Sequence, residues 1–306
     1  MIALPAHLGP GAFDHAAVDT GRGLLFVAHT ANDAVDVIDT HAARHVRSID
    51  GLKGVAGALT DSIGGLVFSS NRGENTIAMF AAEGGEVTKV GVGLRPNGLA
   101  HDPGRGTLLC ANVGDPGAPG SASVTIVDVA SRAVRATIAM PGRTRWAIFD
   151  PDQDRFFVNI ADPAEIVIVD ARSPDRIAGA IPIPQRGPHG LDLDAARHLL
   201  YCACDDGQVC AVDIQAGHVV RSLALSGPPD VVFYNPALNH LYVAIGDPGV
   251  IDVVDVARWT RVETVVTEPG AHTLAFDAGA NRVYAFLPRS HRALVFEDEP
   301  AAGEAS

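Results

Sequence analysis

Short apolar runs, each ended by an aspartate or asparagine, recur along the whole chain and predict β-strands. The residues that end these runs are Asp19, Asp61, Asp102, Asp150, Asp194, Asn235 and Asp277. Subtraction of successive numbers gives steps of 42, 41, 48, 44, 41 and 42 residues. A period of about 40 to 45 residues with short β-rich segments is typical of a four-stranded propeller blade. The pattern therefore predicts an all-β fold, a seven-bladed β-propeller of four-stranded antiparallel blades.

The segments inside one unit support strands rather than helices. In the first unit, a turn after Asp19 leads to the apolar segments Leu24 to His29, Ala34 to Asp39 and His45 to Ile49. β-branched residues dominate, alternation is frequent, and no long stretch has a helical period. Each unit is therefore predicted to hold four strands, of which the first lies nearest the propeller axis.

The last unit shows only three strands, and the N-terminus supplies a candidate for the fourth. Ile2 to Pro5 resembles the fourth strand of other units, such as Ala180 to Ile183. We expect it to complete the seventh blade and close the ring, which removes exposed sheet edges. Residues 1–297 are predicted to form one domain, followed by a frayed acidic tail at 298–306.

One unit is longer than the others because of an insertion, Gly114 to Ser123. Its glycines and prolines cannot sustain a strand ladder, so it is predicted to be a surface loop. A flap over one face and a tolerated loop extension are both compatible with this pattern.

Composition excludes several classes of protein. A formal net charge of -13 opposes binding to nucleic acid. No run of eighteen apolar residues exists, so no membrane span is predicted. The N-terminus lacks a signal pattern and the four cysteines are too few for a disulfide framework, so we expect a cytoplasmic, monomeric protein.

Equivalent positions at the start of the first strands should form a ring around one mouth of the central channel. Alignment on the terminal Asp or Asn places there Asp14, Ala56, Asn97, Arg145, His189, Asp230 and His272. Six of the seven are polar although they lead into apolar strands. Because partly buried polar groups are costly when unpaired, the ring must pair with itself, hold water or hold a ligand.

Two imidazoles and two carboxylates come from neighbouring blades of this ring. His189, His272, Asp230 and Asp14 are predicted to bind a divalent metal ion with open positions for water or substrate. The alternative is that these side chains bond only one another, water and backbone. His15 should point away from Asp14 because side chains alternate along a strand, and so pack within its blade. If the register of the strand slips, His15 is an alternate ligand.

The remaining ring residues suggest how a substrate is held. Arg145 is predicted to capture an anionic small molecule, with Asn97 and Trp146 as further binding residues and His189, His272 and Arg145 as the catalytic set. A salt bridge from Arg145 to Asp14 or Asp230 is the alternative. Asn97 can equally stabilise a turn.

Cysteine offers a second possible ligand set. Cys202 and Cys204 share one strand face and, with Cys110 or Cys210, could bind a soft metal, although buried thiols are common in β-cores. Neither a Gly-x-Ser-x-Gly elbow nor a phosphate loop or dinucleotide fingerprint occurs.

Second-strand segments such as Phe26-Val27-Ala28-His29 and Tyr242-Val243-Ala244-Ile245 resemble the YVTN repeat family of seven-bladed propellers. Locally, Arg95 to Ala100 and Pro229-Asp230 resemble gluconolactonase-like propellers. That likeness implies that Asn97 and Asp230, with Asp14 in place of the family glutamate, bind an ion that activates water for lactone opening. Pro188-His189-Gly190 resembles virginiamycin B lyase-like propellers, in which a histidine and a metal serve eliminative ring opening.

The function predicted from the sequence is therefore a metal-dependent enzyme that opens a small anionic or lactone-like substrate, by hydrolysis or elimination. The alternative is a noncatalytic propeller whose flat faces bind another protein.

Overall fold

A computed structural model describes residues 1–299 as seven four-stranded antiparallel sheets. Blade one holds β2 Phe13–Asp19, β3 Leu24–His29, β4 Ala34–Asp39 and β5 Arg44–Ile49; blade two, β6 Val55–Asp61, β7 Leu66–Asn71, β8 Thr76–Ala81 and β9 Thr88–Gly91; blade three, β10 Pro96–Asp102, β11 Thr107–Asn112, β12 Ser123–Asp128 and β13 Ala133–Ala139; blade four, β14 Thr144–Asp150, β15 Arg155–Ile160, β16 Glu165–Asp170 and β17 Ile177–Pro182. Blade five holds β18 Pro188–Asp194, β19 Leu199–Cys204, β20 Gln208–Asp213 and β21 His218–Ala224; blade six, β22 Val232–Asn235, β23 His240–Ile245, β24 Val250–Asp255 and β25 Thr260–Val266; blade seven, β26 Thr273–Asp277, β27 Arg282–Leu287, β28 Arg292–Glu297 and β1 Ile2–Ala3. Single 3-10 turns lie at Thr30–Asn32 and Ala195–Arg197.

The predicted seven-bladed fold is confirmed, and so is its closure by the N-terminal strand. β1 pairs with β28 in the register Ile2 to Ala293, and the Leu4 amide donates to the His291 carbonyl over 2.9 Å. The Ile2 side chain is buried in the apolar cluster that joins blades seven and one. The two ends of the chain therefore share one sheet.

The aspartate that ends six of the seven inner strands stabilises the turn that follows it. Asp102 Oδ1 accepts from the Arg105 amide over 3.1 Å, and Asp61 Oδ1 accepts from the Gly64 amide over 3.0 Å. An aspartate can satisfy turn amides in this way because its short carboxylate reaches backbone groups two or three residues ahead. The marker that revealed the repeat is thus a turn residue.

Several inner strands begin with a β-bulge, a register shift just after their first residue. It occurs between Phe13 and Ala16, Pro96 and Leu99, Thr144 and Ala147, and Pro188 and Leu191. A bulge places two residues opposite one on the neighbouring strand and bends the chain locally. The ring residue and the one after it both fall in this irregular segment.

The insertion between β11 and β12 is a loop closed by its own hydrogen bonds. The Asp115 amide donates to Ser121 Oγ over 2.8 Å, and the Ala118 amide donates to the Asp115 carbonyl over 2.9 Å. The predicted surface loop is therefore present.

Of the predicted tail, Asp298 accepts hydrogen bonds from His240 Nδ1 over 2.6 Å and from the Tyr242 hydroxyl over 2.7 Å. Residues 300–306 lie outside the described part of the chain. Between residues 1 and 299 there is no helix with the length and hydrophobicity to cross a bilayer.

Candidate functional site at one mouth of the channel

The ring positions predicted from the repeat lie at the starts of the inner strands, and their side chains form two hydrogen-bonded groups. One group joins Arg145, His189 and Asp230 to Asp205, a residue outside the predicted ring. The other joins Asp14 and Asn97 to Arg72, also outside the predicted ring. Blades four to six thus contribute the first group, and blades one to three the second.

His189 lies between two carboxylates. Its Nδ1 is 2.7 Å from Asp205 Oδ1, and its Nε2 is 3.1 Å from Asp230 Oδ1. Arg145 Nη2 donates to the second oxygen of Asp205 over 3.0 Å, while Arg145 Nη1 lies 3.1 Å from His189 Nε2. Asp205 therefore fixes the imidazole and the guanidinium at the same time.

These contacts decide the charge of His189. Burial acts to lower the pKa of the imidazole, but the charge of Asp230 and the hydrogen bonds to both carboxylates outweigh it and raise the pKa to about 9. Burial acts to raise the pKa of Asp230, yet the neighbouring His189, with smaller contributions from His272 and His15, holds that pKa well below its usual range. At neutral pH the pair is an imidazolium with a carboxylate.

Arg72 organises the second group. Its Nη2 donates to Asn97 Oδ1 over 2.6 Å, and its Nη1 lies 3.4 Å from Asp14 Oδ2. Asn97 is 3% exposed, and its main-chain carbonyl accepts from the Ser70 hydroxyl over 2.7 Å. Both Asn97 and Asp14 are thereby engaged by protein groups.

The orientation predicted for His15 was wrong. Its Nε2 lies 3.5 Å from Asp14 Oδ1, and its ring packs on Trp146 with 4.0 Å between ring centroids. The physical reason is the bulge at the start of β2, which interrupts the alternation of side chains on which the prediction depended. His15 is therefore part of the channel.

His272 stands apart from the hydrogen-bonded groups. Its Nδ1 bonds to the Gly270 carbonyl over 2.8 Å, and its charge acts on Asp230 without a direct bond. A donating Nδ1 leaves Nε2 as the ring atom able to bind a ligand.

Three ligand atoms close enough to share one ion do not occur among His189, His272, Asp230 and Asp14, the residues predicted to bind a divalent ion. Between residues 1 and 299, the one set of three His, Cys, Asp or Glu residues whose ligand atoms all lie within 4.8 Å of one another is Cys202, Cys204 and Cys210. In addition, a protonated His189 has no free lone pair for an ion. The arrangement around His189 is thus an ion-paired imidazolium rather than a preassembled metal centre, and a divalent ion stays a prediction.

Two further arginines, Arg95 and Arg143, lie near this mouth together with Asp115 and Asp162. The pKa of Arg143 is lowered by burial and by the charges of Arg145, Arg95 and Arg72. Within residues 1–299 the side chains of Arg95 and Arg143 have no hydrogen bond or ion pair. Both line a groove of about 620 Å³ whose other wall is the inserted loop from Gly114 to Ala122.

An apolar chamber of about 470 Å³ lies farther along the channel. Trp146 and His15 form its wall nearest the ring, and Phe149, Phe233 and Phe276 are among its other lining residues. His101, Asp61 and Asp192 also line it. Trp146, predicted to bind substrate, is therefore a wall of the chamber and contacts His15 and Phe233.

Sequence reasoning missed Asp205 and Arg72, which occupy the same place in their repeat units. Arg72 directly follows β7 and Asp205 directly follows β19, the second strands of blades two and five. Second strands run antiparallel to the inner strands, so their last residues lie beside the ring. Alignment of the residues after the second strands would have identified both.

Comparisons with known proteins support the fold and go no further. No protein-family model matches the sequence, so the resemblance to the YVTN repeats is not confirmed. No curated protein matches either. Solved structures with this fold are numerous, with 1778 matching chains, so the fold by itself does not select a function. One of them, hydrazine synthase of Kuenenia stuttgartiensis, matches with a TM-score of 0.79 and 14% identity over 97% of this chain and 98% of that chain. The chain is thus similar to a propeller in a known enzyme and shares its fold.

Proposed function

We propose that the protein is an enzyme that binds a small carboxylate-bearing, lactone-like substrate at the polar mouth and opens its ring by proton transfer through His189. The observation that carries the proposal is the Asp205–His189–Asp230 arrangement, with Arg145 held beside the imidazole by the same Asp205. Perturbed ionisable groups clustered in a cavity favour a functional site over a purely structural one.

The arginines support an anionic substrate. A guanidinium matches the two oxygens of a carboxylate, and Arg95 and Arg143 are unpaired in the groove that leads along the inserted loop. We therefore expect the guanidinium groups of Arg95 and Arg143, rather than the side of the groove that carries Asp115 and Asp162, to attract the substrate carboxylate, and Arg145 to orient it. Like-charge contact between Arg145 and His189 would be relieved when an anion binds between them.

His189 and Asp230 supply opposite proton-transfer roles. An imidazolium with a pKa of about 9 is a general acid at neutral pH. Against the effect of burial, the charge of His189 lowers the pKa of Asp230, so the Asp230 carboxylate becomes a better proton acceptor as His189 gives its proton to the substrate. In hydrolysis, water adds to the acyl carbon and loses a proton to Asp230, while the departing ring oxygen takes the Nε2 proton of His189. In elimination, Asp230 instead removes a proton from carbon, and no oxygen from solvent enters the product.

The test combines binding and turnover. Arg145→Gln should weaken binding of small carboxylates about tenfold or more, because it removes a charge-assisted hydrogen bond, whereas Arg221→Gln on the exposed outer strand β21 should not. The wild-type protein should open lactones, and His189→Gln should abolish this activity. His218→Gln is the matched control and should keep it. Reaction in ¹⁸O-labelled water separates hydrolysis from elimination. Equal binding by Arg145→Gln and wild type would refute the proposal.

A divalent ion at His189 would have to displace the Nε2 proton, and the proposed proton transfers do not require an ion. Elemental analysis of the purified protein and of a His189→Ala, His272→Ala double variant tests that prediction separately. Metal content that is the same in both proteins would eliminate the two histidines as ligands.

A noncatalytic, protein-binding propeller is the second candidate. The observation that favours it is the self-pairing of the ring, since Arg72 engages Asp14 and Arg145 engages Asp205 without any ligand. This candidate predicts that the ring variants change stability alone, with no carboxylate binding in the wild type.

A further inference from the structure

Three cysteines of blade five converge at a single point. Cys202 and Cys210 are direct partners in the ladder between β19 and β20, and Cys204 lies two residues beyond Cys202. Cross-strand partners share a sheet face, as do residues two apart along a strand. All three thiols therefore project from the same face.

The spacing of the sulfurs matches that of a metal-thiolate site. Cys202 Sγ lies 3.8 Å from Cys204 Sγ, and all three Sγ atoms are within 4.8 Å of one another. Metal–sulfur bonds of about 2.3 Å place two sulfurs of a tetrahedral ion about 3.8 Å apart, and of a trigonal ion about 4.0 Å apart. The ladder thus holds one pair of sulfurs at ligand spacing, and the third within 4.8 Å of both, before any ion is bound.

The surroundings select the kind of ion. All three cysteines are fully buried, and they pack against Ile166, Ile181 and Ile183 of the neighbouring blade four. Zinc requires a fourth ligand, and magnesium and calcium require oxygen ligands. A soft monovalent ion in a dry three-sulfur pocket needs neither a fourth ligand nor water.

We propose that Cys202, Cys204 and Cys210 form a binding site for a single thiophilic monovalent ion, Cu⁺, in the seam between blades four and five. Binding breaks S–H bonds and forms Cu–S bonds without any change of oxidation state. At least two of the three thiols lose their protons to solvent, so two thiolates bind the ion and the site carries one net negative charge. This site is independent of the function proposed for the channel mouth.

The site lies directly behind the strand that carries His189. Asn159 Nδ2 donates to the carbonyls of His189 and Gly190 over 3.0 and 3.1 Å, and Asn159 Oδ1 lies 3.8 Å from Cys202 Sγ. An ion that binds Cys202 Sγ would remove its contact with Asn159 Oδ1. Asn159 holds the start of β18 through its two hydrogen bonds, so ion binding would affect the position of that strand.

The test is anaerobic transfer of Cu⁺ from a chromophoric chelator to the reduced, folded protein. The wild type should take up one equivalent with near-ultraviolet sulfur-to-copper absorption and should release two or three protons per ion. Cys202→Ser should lose this uptake. Cys202→Ala should lose it too, and it replaces the serine variant if a buried serine hydroxyl prevents folding. Cys110→Ser is the matched control, because Cys110 is equally buried but lies alone in blade three.

The expected result is uptake by the wild type and Cys110→Ser alone, with all variants folded by circular dichroism. Uptake that survives in both Cys202 variants, no uptake by the wild type, or retention of Zn²⁺ in preference to Cu⁺ would overturn the proposal.

Discussion

At the residue scale, the arrangement of the channel mouth depends on the positive charge of His189, which burial alone would remove. A half-buried imidazole normally loses its proton more easily than in water, yet carboxylates on both ring nitrogens reverse the direction of the shift. Asp205 contributes by geometry as well as charge, because its two oxygens hold different partners. Its own pKa is lowered by His189 and Arg145 in spite of the burial that opposes this.

We predict that nuclear magnetic resonance titration will find the pKa of His189 near 9 and that Asp205→Asn and Asp230→Asn will each lower it. The folded-state pKa lies above the ordinary 6.5, so the stability that the charge contributes is complete below about pH 6.5 and is lost as pH rises through 9. The change corresponds to about 3 kcal/mol in the free energy of unfolding. Urea unfolding at pH 6 and pH 9.5 measures it, and His189→Gln should show no such difference. Asp175→Asn, an exposed change, is the control for the titration.

At the scale of the element, the bulges bring neighbouring inner strands unusually close. A Cβ atom at Gly98 would lie 2.3 Å from the Arg145 carbonyl, and one at Gly190 would lie 2.4 Å from the Asp230 carbonyl. Glycine is required where backbones approach in this way. The second bulge position thus sets the distance between adjacent ring residues.

Gly190→Ala should displace the backbone of Asp230 and weaken its ion pair with His189. We expect a loss of about 1 to 3 kcal/mol of stability and a lower pKa of His189. Gly91→Ala is the control, since a Cβ there meets nothing within 4 Å and needs no positive φ. Calorimetry and the titration above measure both effects. Equal behaviour of the two variants would contradict the assignment of Gly190 as a spacer.

The sequence predicts the blades well because the turn aspartate and the apolar strand are local features that repeat. It predicts which inner-strand residues reach the mouth, including Arg145, His189 and Asp230, by the same alignment. It does not predict the side-chain pairing, because Asp205 and Arg72 come from second strands and meet the ring only in three dimensions. The orientation of His15 is mispredicted because the amino-acid sequence of β2 does not reveal the bulge between Phe13 and Ala16.

At the scale of the whole molecule, ring closure determines which distant residues become neighbours. Blade one must sit beside blade seven for Thr273 Oγ1 to donate to the Phe13 carbonyl over 3.0 Å, a contact between residues 260 positions apart. The same closure places His15 close enough to lower the pKa of Asp230. The contact between blades one and seven therefore contributes both to closure of the ring and to the pKa of Asp230 at the mouth.

We predict that weakening β1 will destabilise the entire propeller. Ile2 is 1% exposed and packs with Phe286 and Tyr284, so Ile2→Ala should cost about 2 to 4 kcal/mol, whereas Leu8→Ala, at a position 86% exposed, should cost little. Removal of residues 1–6 should lower the melting temperature further, because it also exposes the edge of β28. Hydrogen exchange distinguishes local fraying from a ring-wide effect, since opening of the ring should increase exchange in blade one as well as blade seven. Faster exchange confined to β28, with an unchanged melting temperature, would show that the ring does not depend on this closure.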